Sequence, residues 1–308
     1  MVDNAGAGLS RRRVLTAGAL AGATVLGTGL TGGRASAATA PAIFYSPHQD
    51  DEALGLAGSI LEHKAAGRPV YLVLVTRGEN DSLASLMNTD PCPLTTRDDR
   101  HPCAAHGHHG LNWPTGEASD SVIVPARTAE FMASAATLGV DKVINLKVPD
   151  SVWGNEPDAF AKFTSTVKSK IASIAVQYPG ASHKFTAGWL EVTKTHKAIT
   201  DAAVQLARAG KLTDVRFNFV YAYDHPLSSR ADGAAYVLNI PADHMGTKRD
   251  AIYCYNRWSP SKNLYALGYH SVPEKMESAH NDPHEYVFAL PNSSYKYGEI
   301  DRPRTDWS

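Results

Sequence analysis

Short apolar runs alternate with stretches of helical periodicity after residue 40. Residues 43–45 predict a strand, and Leu54, Ala57, Leu61 and Ala65 recur at helical spacing on one face before Gly67. Residues 70–76 form a near-continuous apolar run, which is typical of a parallel strand buried on both faces. This part of the chain therefore predicts one strand–helix–strand unit.

The same alternation continues along the chain. It predicts helices at 125–138, 157–178 and 196–209, with Gly139 and Gly210 as stops, and strands at 142–146, 185–190 and 215–223. Strands that alternate with helices favour an α/β fold: a single domain with a Rossmann-like, mostly parallel sheet and helices on both faces. Residues 77–124 predict a long loop, functional or disordered, and the less periodic part after Asp224 is expected to cap the sheet.

The first residues have the features of an export signal. Arg11, Arg12 and Arg13 precede a weakly apolar stretch over 15–30, and 35–37 (Ala-Ser-Ala) offers small residues for cleavage. The stretch is short and glycine-rich for a membrane-spanning helix. We therefore predict a twin-arginine signal peptide over 1–37, a domain over 38–308 with no stable membrane span after signal removal, and secretion of the protein.

The composition fits a globular protein with a small partner. Of the 308 residues, 43% are hydrophobic and 20% are charged, which excludes coiled-coil, collagen-like, disordered and polytopic membrane proteins. Lys and Arg number 30 against 31 Asp and Glu, so the formal net charge is -1. This balance offers no electrostatic footprint for nucleic acid.

The cysteines predict one structural link. Cys92 and Cys103 lie 11 positions apart in the Pro-rich part of the long loop, and Cys254 is alone. In an oxidising compartment a disulfide between Cys92 and Cys103 would close this loop, with Cys254 buried and free. The sequence leaves the pairing open.

The strongest chemical signal follows the first strand, in residues 46–52 (SPHQDDE). Ligands of an open α/β sheet bind beyond the carboxyl ends of the strands. His48 and Asp51 are three residues apart, so a tight turn points both at one centre, and an imidazole with a carboxylate suits zinc. Asp50 beside them would take a proton from water. The alternative is that these acidic residues only stabilise a helix N-terminus.

This segment resembles the signature of the PIG-L or LmbE-like family of zinc-dependent de-N-acetylases, usually written with Pro where this chain has Gln49. Several flanking segments match as well: the small-residue helix at 53–58, VTRGE at 75–79, RTAE at 127–130, LGV at 138–140 and VPD at 148–150. The resemblance covers residues 42–209 and is weak beyond them.

The resemblance implies a role for each motif position. It assigns His48 and Asp51 to the metal and Asp50 to the general base. It assigns the third ligand to His196, which ends the segment EVTKTH at 191–196 and opens a later helix. One Zn²⁺ ion per chain is implied, although His, Asp and His also suit Fe²⁺ or another first-row ion. Without the family, His196 would be interpreted as a solvent-facing residue of a first helical turn.

The second motif departs from the family at Thr193. Members commonly carry a His there, which is proposed to stabilise the oxyanion or to protonate the leaving amine. A Thr hydroxyl donates a hydrogen bond but does not titrate near neutral pH. Lys194, His225 or His244 are candidates to compensate, or Asp50 serves as base and then as acid; the sequence does not choose among them.

Other residues carry weaker predictions. Family loops near Arg77, Glu79 and Arg127 line the pocket, so these side chains are expected either to bind substrate or to form structural ion pairs. Four histidines of the long loop are interpreted as an exposed His-rich segment rather than a second metal site: His101, His106, His108 and His109.

The expected function is therefore a zinc-dependent hydrolase. The resemblance implies that it removes an N-acetyl or other N-acyl group from an amino sugar, either a small molecule or an oligosaccharide, such as an N-acetylglucosamine glycoside. Two alternatives stay open: a zinc amidohydrolase acting on N-acyl groups that no sugar bears, and a non-catalytic carbohydrate-binding homologue. The presence of Asp50 argues against the second alternative, because a pure binder needs no base beside a metal.

Overall fold

The computed structural model describes residues 40–92, 110–152 and 156–300. Within these residues, seven strands form one sheet: β1 (Ala42–Ser46), β2 (Val70–Thr76), β3 (Lys142–Val148), β4 (Ser182–Thr186), β5 (Thr213–Asn218), β6 (Tyr236–Asn239) and β9 (His284–Phe288). A two-stranded ribbon pairs β7 (Trp258–Ser259) with β8 (Leu264–Tyr265). The helices are α1 (Asp51–Gly55), α2 (Ala57–Ala65), α3 (Asp81–Met87), α4 (Asp120–Thr137), α5 (Pro157–Gln177), α6 (Lys194–Arg208), α7 (Ala242–Tyr253), α8 (Leu267–Ser271) and α9 (Pro273–Asn281).

The strand order creates a crevice at the centre of the sheet. The order is β3-β2-β1-β4-β5-β9-β6, and the first five of these strands are parallel. The connections run outward from β1 on one side and from β4 on the other, so the loops that follow these two strands diverge to opposite faces. Such a switch point is where open α/β sheets bind their ligands. The α/β fold with a mostly parallel sheet is as predicted.

Side chains alternate between two apolar layers. Along β1, Ile43 and Tyr45 face the layer that contains Val167 of α5, while Ala42 and Phe44 face the layer beneath α2. The strand is completely buried on both faces. This double burial is the physical reason for the continuous apolar runs in the central strands.

The predicted helix over the first motif is two helices. α1 ends at Gly55 and α2 begins at Ala57, with Leu56 as the junction. A Cβ on Gly55 would lie 2.6 Å from the Cα of Val220, so this helix approaches the backbone of a neighbouring segment closely. The long loop also contains structure, since α3 lies within it and α4 begins at Asp120, before the predicted start.

Two predicted strands were placed too late. The predicted strand over 185–190 is β4, Ser182–Thr186, and Gly188–Leu190 form a 3-10 turn. The predicted strand over 215–223 is β5, Thr213–Asn218, and Ala222–Asp224 turn in the same way. The apolar pattern did not predict the start of β4, because two of its buried residues, His183 and Lys184, are polar.

The part after Asp224 does more than cap the sheet. It extends the sheet with β9, antiparallel to β5, and with β6, antiparallel to β9. The helices α7 to α9 cover the face that also carries α1 and α2. The prediction was incomplete because these two strands, of five and four residues, are too short to show a periodic apolar pattern.

Several sequence predictions lie outside the described residues. They concern the signal peptide, the four histidines of the loop, and Cys103. Cys92 is buried, but its pairing with Cys103 stays a prediction. No helix in the part of the chain that the structure describes is long and apolar enough to span a membrane.

Candidate metal centre and active site

The first motif forms a tight turn between β1 and α1. The backbone N–H and the hydroxyl of Thr76 donate hydrogen bonds of 3.1 and 2.8 Å to the carbonyl of Pro47, which ties the turn to β2. Asp50 has a φ of 117°, a conformation that is sparsely populated for residues with a side chain. The turn brings Asp51 back toward His48, whose backbone N–H donates to Asp51 Oδ2 at 2.9 Å.

The second motif begins α6 directly after the turn that follows β4. Thr193 is the N-cap residue, and His196 lies completely buried in the first turn. Gly188 makes this placement possible: a Cβ there would lie 2.6 Å from the carbonyl carbon of His196. The missing side chain thus lets α6 start close enough to β4 for His196 to reach the end of β1.

Three donor atoms meet at the switch point. His48 Nδ1 lies 3.3 Å from Asp51 Oδ2 and 3.2 Å from His196 Nε2, and His196 Nε2 lies 3.1 Å from Asp51 Oδ2. Ligand atoms of a tetrahedron around zinc, at bond lengths of about 2.0–2.1 Å, are themselves about 3.3 Å apart. The donor set and its spacing fit a first-row divalent metal. Among the described residues, no other group of three could hold a metal ion.

Each candidate histidine ligand is oriented by a carboxylate on its other nitrogen. His48 Nε2 lies 2.7 Å from Asp150 Oδ2, and Thr195 donates to Asp150 Oδ1 at 2.8 Å. His196 Nδ1 contacts Glu191 Oε2. Such pairs fix the tautomer of a metal-binding imidazole and make it a better donor.

The carboxylates give this buried pocket a strong preference for positive charge. Burial acts to lower the pKa of His48, but Asp150 and Asp51 outweigh it and raise that pKa to about 9. Burial is likewise outweighed at His196, where Asp51 and Glu191 raise the pKa to about 10. When the imidazoles are neutral, a bound metal cation would balance the negative charge of these carboxylates instead.

Asp50 lies beside the donor atoms without joining them. Its Oδ1 is buried and has no hydrogen-bond partner among the described residues, while Oδ2 is 3.4 Å from Arg127 Nη2. Burial and then the charge of Asp51 raise the pKa of Asp50 to about 7, although Arg127 acts against them. A buried carboxylate with a free oxygen next to a cation site is suited to accept a proton from water.

The predicted pocket residues are largely held by the protein itself. Arg127 is buried and also donates to the carbonyls of Gln49 and Gly78, at 3.0 and 3.2 Å. Arg77 pairs with Glu79 at 3.0 Å and with Asp120 at 2.6 Å, and its side chain is about one-third exposed. The ion pairs that were the alternative prediction are therefore present, and Arg77 and Glu79 also reach the surface.

The residues proposed to compensate for Thr193 lie in different places. His225 contacts the carbonyl of Leu190 through Nε2, at 3.2 Å. His244 lies 3.6 Å from Glu62, in the second half of α2, which runs back toward the opposite edge of the sheet. Thr193 is half-buried and makes no capping hydrogen bond with its side chain.

Tyr221 is a further residue of the site that sequence reasoning missed. Its ring centroid is 5.0 Å from that of His196, and its backbone N–H donates to Glu191 Oε1 at 3.2 Å. Burial, followed by the charges of Asp51 and Asp50, raises the pKa of Tyr221 well above its usual value. The phenol therefore stays protonated and can donate a hydrogen bond near these carboxylates.

Asp150 and Glu191 lie in the segments VPD and EVTKTH, but the sequence assigns neither of them a role. Asp150 follows β3, and Glu191 precedes His196 by five residues, so both lie at the carboxyl edge of the sheet. Position at that edge was the available signal, but pairing with a particular histidine depends on loop geometry. Gln49, where the family has Pro, donates to the carbonyl of Arg77 at 2.8 Å and so ties the motif to the end of β2.

Comparisons with known proteins identify the family and the fold. The family model described as PIG-L, GlcNAc-PI de-N-acetylase, matches residues 43–207. No curated protein matches the chain by sequence. A triple mutant of a deacetylase of the teicoplanin biosynthetic pathway has a similar structure, with 18% identity and a TM-score of 0.53, over 80% of this chain and 96% of that one.

Two further solved structures are similar at the level of fold. The A40926 pseudoaglycone deacetylase has 19% identity and a TM-score of 0.50, over 82% of this chain and 99% of that one. The zinc-inhibited form of teicoplanin deacetylase has 17% identity and a TM-score of 0.50, over 80% of this chain and 96% of that one.

Proposed function

Because the chain belongs to the PIG-L family and is a deacetylase, we propose that it is a zinc-dependent hydrolase that removes an N-acetyl group from an amino sugar. The observation that carries the proposal is the triangle of donor atoms on His48, Asp51 and His196, with Asp50 beside it. When bound, the ion supplies a Lewis acid that polarises the amide carbonyl and activates water.

Zinc fits the donor set because two imidazoles and one carboxylate are a common three-ligand zinc set that leaves a position open. A zinc-inhibited form exists of one deacetylase of similar fold, so zinc acts on at least one protein of this fold, there as an inhibitor. Iron(II) is the alternative, since the same donors suit it.

We assign Asp50 as the base that accepts a proton from the attacking water. Its free oxygen Oδ1 lies next to the donor triangle, and Arg127 holds the other oxygen. Water adds its oxygen to the carbonyl carbon, Asp50 takes the proton, and the same proton passes to the amide nitrogen as the C–N bond breaks. The products are a carboxylic acid and an amine, which at neutral pH exchange a proton to give a carboxylate and an ammonium group.

The negative charge that develops on the carbonyl oxygen calls for a hydrogen-bond donor from the protein. Thr193, at the start of α6, and Tyr221, packed on His196, are the hydroxyls we assign to this task. Tyr221 is the stronger candidate, because the charges of Asp50 and Asp51 act on its hydroxyl. The two hydroxyls would take the role of the histidine that the family commonly has at the position of Thr193.

The substrate we propose is an N-acetylglucosamine-type sugar. The description of the family model names such a sugar, and the similar structures include a deacetylase of teicoplanin biosynthesis and the A40926 pseudoaglycone deacetylase. Arg77 and Glu79, which reach the surface beside the site, and Arg127 are assigned to the substrate side of the pocket.

The test combines metal content with acetate release. The full chain and the variants Asp50→Asn and His196→Ala are assayed with N-acetylglucosamine, its short oligomers and a set of N-acetylated amines without a sugar. One zinc per chain, lost in His196→Ala, with acetate released only from the sugars, supports the proposal. Release from the other amines alone overturns the sugar assignment, and activity in a metal-free protein overturns the zinc assignment.

Export through the twin-arginine route is a separate proposal, supported by the order of residues in 10–37. Expression in a bacterium with that route, followed by mass analysis of protein from the medium, should give a chain that begins at Ala38. A paired Arg11→Lys and Arg12→Lys change should keep the protein inside the cell. An uncleaved chain that stays in the cytoplasm without these changes would overturn the proposal.

A further inference from the structure

A cavity opens beside the candidate metal centre. Its volume is about 390 Å³, within the range of small-molecule sites. Asp150 forms part of its wall and also contacts His48, so the cavity and the candidate metal site are adjacent. The remaining wall comes from the residues after β2 and from the turn before α4.

The wall of this cavity is acidic. Five of its residues are carboxylates: Glu79, Asp81, Glu117, Asp120 and Asp150. Arg77 neutralises part of this charge, because it pairs with Glu79 and Asp120. Asp81 accepts a hydrogen bond from the backbone N–H of Gly116, and Glu117 is exposed with no cationic partner among the described residues. Counting the described residues alone, the cavity wall therefore carries a net negative charge.

A hydroxyl group in the same wall lacks a partner. Ser119 is 1% exposed and lines the cavity, and its Oγ makes no hydrogen bond with any described residue. A buried hydroxyl without a partner is unfavourable. This unmet hydrogen bond at the cavity wall is an observation independent of the charge.

The spacing of the carboxylates indicates the kind of cation. Within the described residues, the donor triangle of His48, Asp51 and His196 is the only group of three whose ligand atoms lie within 4.8 Å of one another. No three of the cavity carboxylates are therefore close enough together to coordinate one metal ion. An organic ammonium group on a sugar ring fits better, because it uses the volume and the polar wall together.

We propose that this cavity is a subsite for a protonated amino group, so that the enzyme prefers acetylated amino sugars that also carry a free amine. The inference rests on the proposed function, since the acetyl group must lie at the donor triangle while the free amine lies in the cavity. An amino-sugar disaccharide with one acetylated and one free nitrogen has this chemistry.

The first experiment compares two disaccharides of glucosamine, one with both nitrogens acetylated and one with a single acetyl group. The expected result is a kcat/KM about tenfold higher for the singly acetylated sugar, as for one charge-assisted hydrogen bond. This ratio should fall toward one in 0.5 M NaCl, because salt screens the exposed carboxylates, and in Glu117→Gln. The control Asp158→Asn removes an exposed carboxylate in the first turn of α5, outside the cavity, and should keep the ratio.

A binding measurement separates the two proposals. Titration of the full chain with glucosamine, which has an ammonium group but no acetyl group, should give tighter binding than titration with glucose, and Glu117→Gln should remove the difference. Equal kcat/KM for the two disaccharides and equal binding of the two monosaccharides would overturn the subsite and leave the deacetylase function intact. Selective glucosamine binding without hydrolysis of either disaccharide would support the subsite and count against the proposed function.

Discussion

His48 and Asp150 are 102 positions apart in the sequence, yet His48 Nε2 lies 2.7 Å from Asp150 Oδ2. The contact turns the other ring nitrogen of His48 toward Asp51 and His196. Thr195, the neighbour of His196, donates to the second oxygen of Asp150. One carboxylate thus fixes the position of the His48 ring with help from the helix that carries the other histidine.

We expect Asp150→Asn to weaken metal binding about tenfold and Asp150→Ala about a hundredfold, since such a partner orients the ligand and raises its basicity. Competition with a chromophoric chelator measures the affinity. Asp141→Asn is the matched control, because Asp141 pairs with Lys64 at the surface. Unchanged affinity in both Asp150 variants would contradict the orienting role.

Asp50→Asn should keep the metal and lose turnover. Asn cannot take a proton, so we expect kcat to fall by about 10²–10⁴ while metal content stays near one ion per chain. Asp51→Asn should instead lower the metal content, because the Asp51 oxygen belongs to the donor triangle. Metal analysis and acetate release on the same samples distinguish the two variants, and a fully active Asp50→Asn would exclude the assigned base.

Tyr221→Phe should lower kcat by about 10², the effect of losing one hydrogen-bond donor to a developing oxyanion. The ring that packs on His196 is kept, so metal affinity should change little. Thr193→Val tests the other hydroxyl in the same assay. If Tyr221→Phe changes KM or metal affinity but not kcat, the residue is structural and the assignment fails.

His183 makes the folded protein sensitive to acid. It is 2% exposed, its Nδ1 lies 3.1 Å from the Tyr45 hydroxyl, and burial followed by the charge of Lys184 lowers its pKa from 6.5 to about 4. Between these two values the unfolded chain binds a proton at His183 and the folded chain does not, so stability falls as the pH falls. The full effect is about 3 kcal/mol.

Urea unfolding of the wild type and His183→Gln between pH 7 and 4 measures this contribution. The free energy of unfolding of the wild type should decline relative to that of the variant as the pH falls. Parallel curves for the two proteins would show that His183 does not carry the effect.

Gly188→Ala should destabilise the protein and loosen the metal site together. The new Cβ would meet the backbone of His196, and overpacking of this kind costs about 1–3 kcal/mol. Gly246→Ala is the matched control: its Cβ meets no atom within 4 Å, and Ala in the interior of α7 should gain about 0.5–1 kcal/mol. Thermal unfolding and zinc affinity are the measurements, and a normal zinc affinity in Gly188→Ala would contradict the close-approach argument.

The sequence predicts the central sheet well because its strands are buried on both faces. The apolar run of β2 and the spacing of α6 follow from this burial, and the sequence also predicts His48, Asp51 and His196 as the metal ligands. The last of these depended on family resemblance, since nothing in the local pattern distinguishes His196 from an ordinary residue of a first turn. The structure brings all three together.

The supporting residues were harder to predict. Asp150, Glu191 and Tyr221 reach the site from three separate loops, and their contacts depend on where each loop turns rather than on any repeat. The last two strands of the sheet, β9 and the edge strand β6, were missed for a related reason: they are short, and their polar residues face solvent or cap other elements. Glu285 of β9, for example, accepts hydrogen bonds from Gly58 and Ser59 at the start of α2.

The switch point gives a bound ion a mechanical role. Its candidate ligands His48 and His196 are 148 positions apart, and the segments that carry them leave neighbouring strands for opposite faces of the sheet. An ion held by both would act as a cross-link that only the native topology can form. At a hundred times its dissociation constant, it would add about 2.7 kcal/mol to the free energy of unfolding. A chelator would therefore lower the free energy of unfolding of the domain as well as stop the reaction. Proteases would cleave the enzyme most readily where metal is scarce.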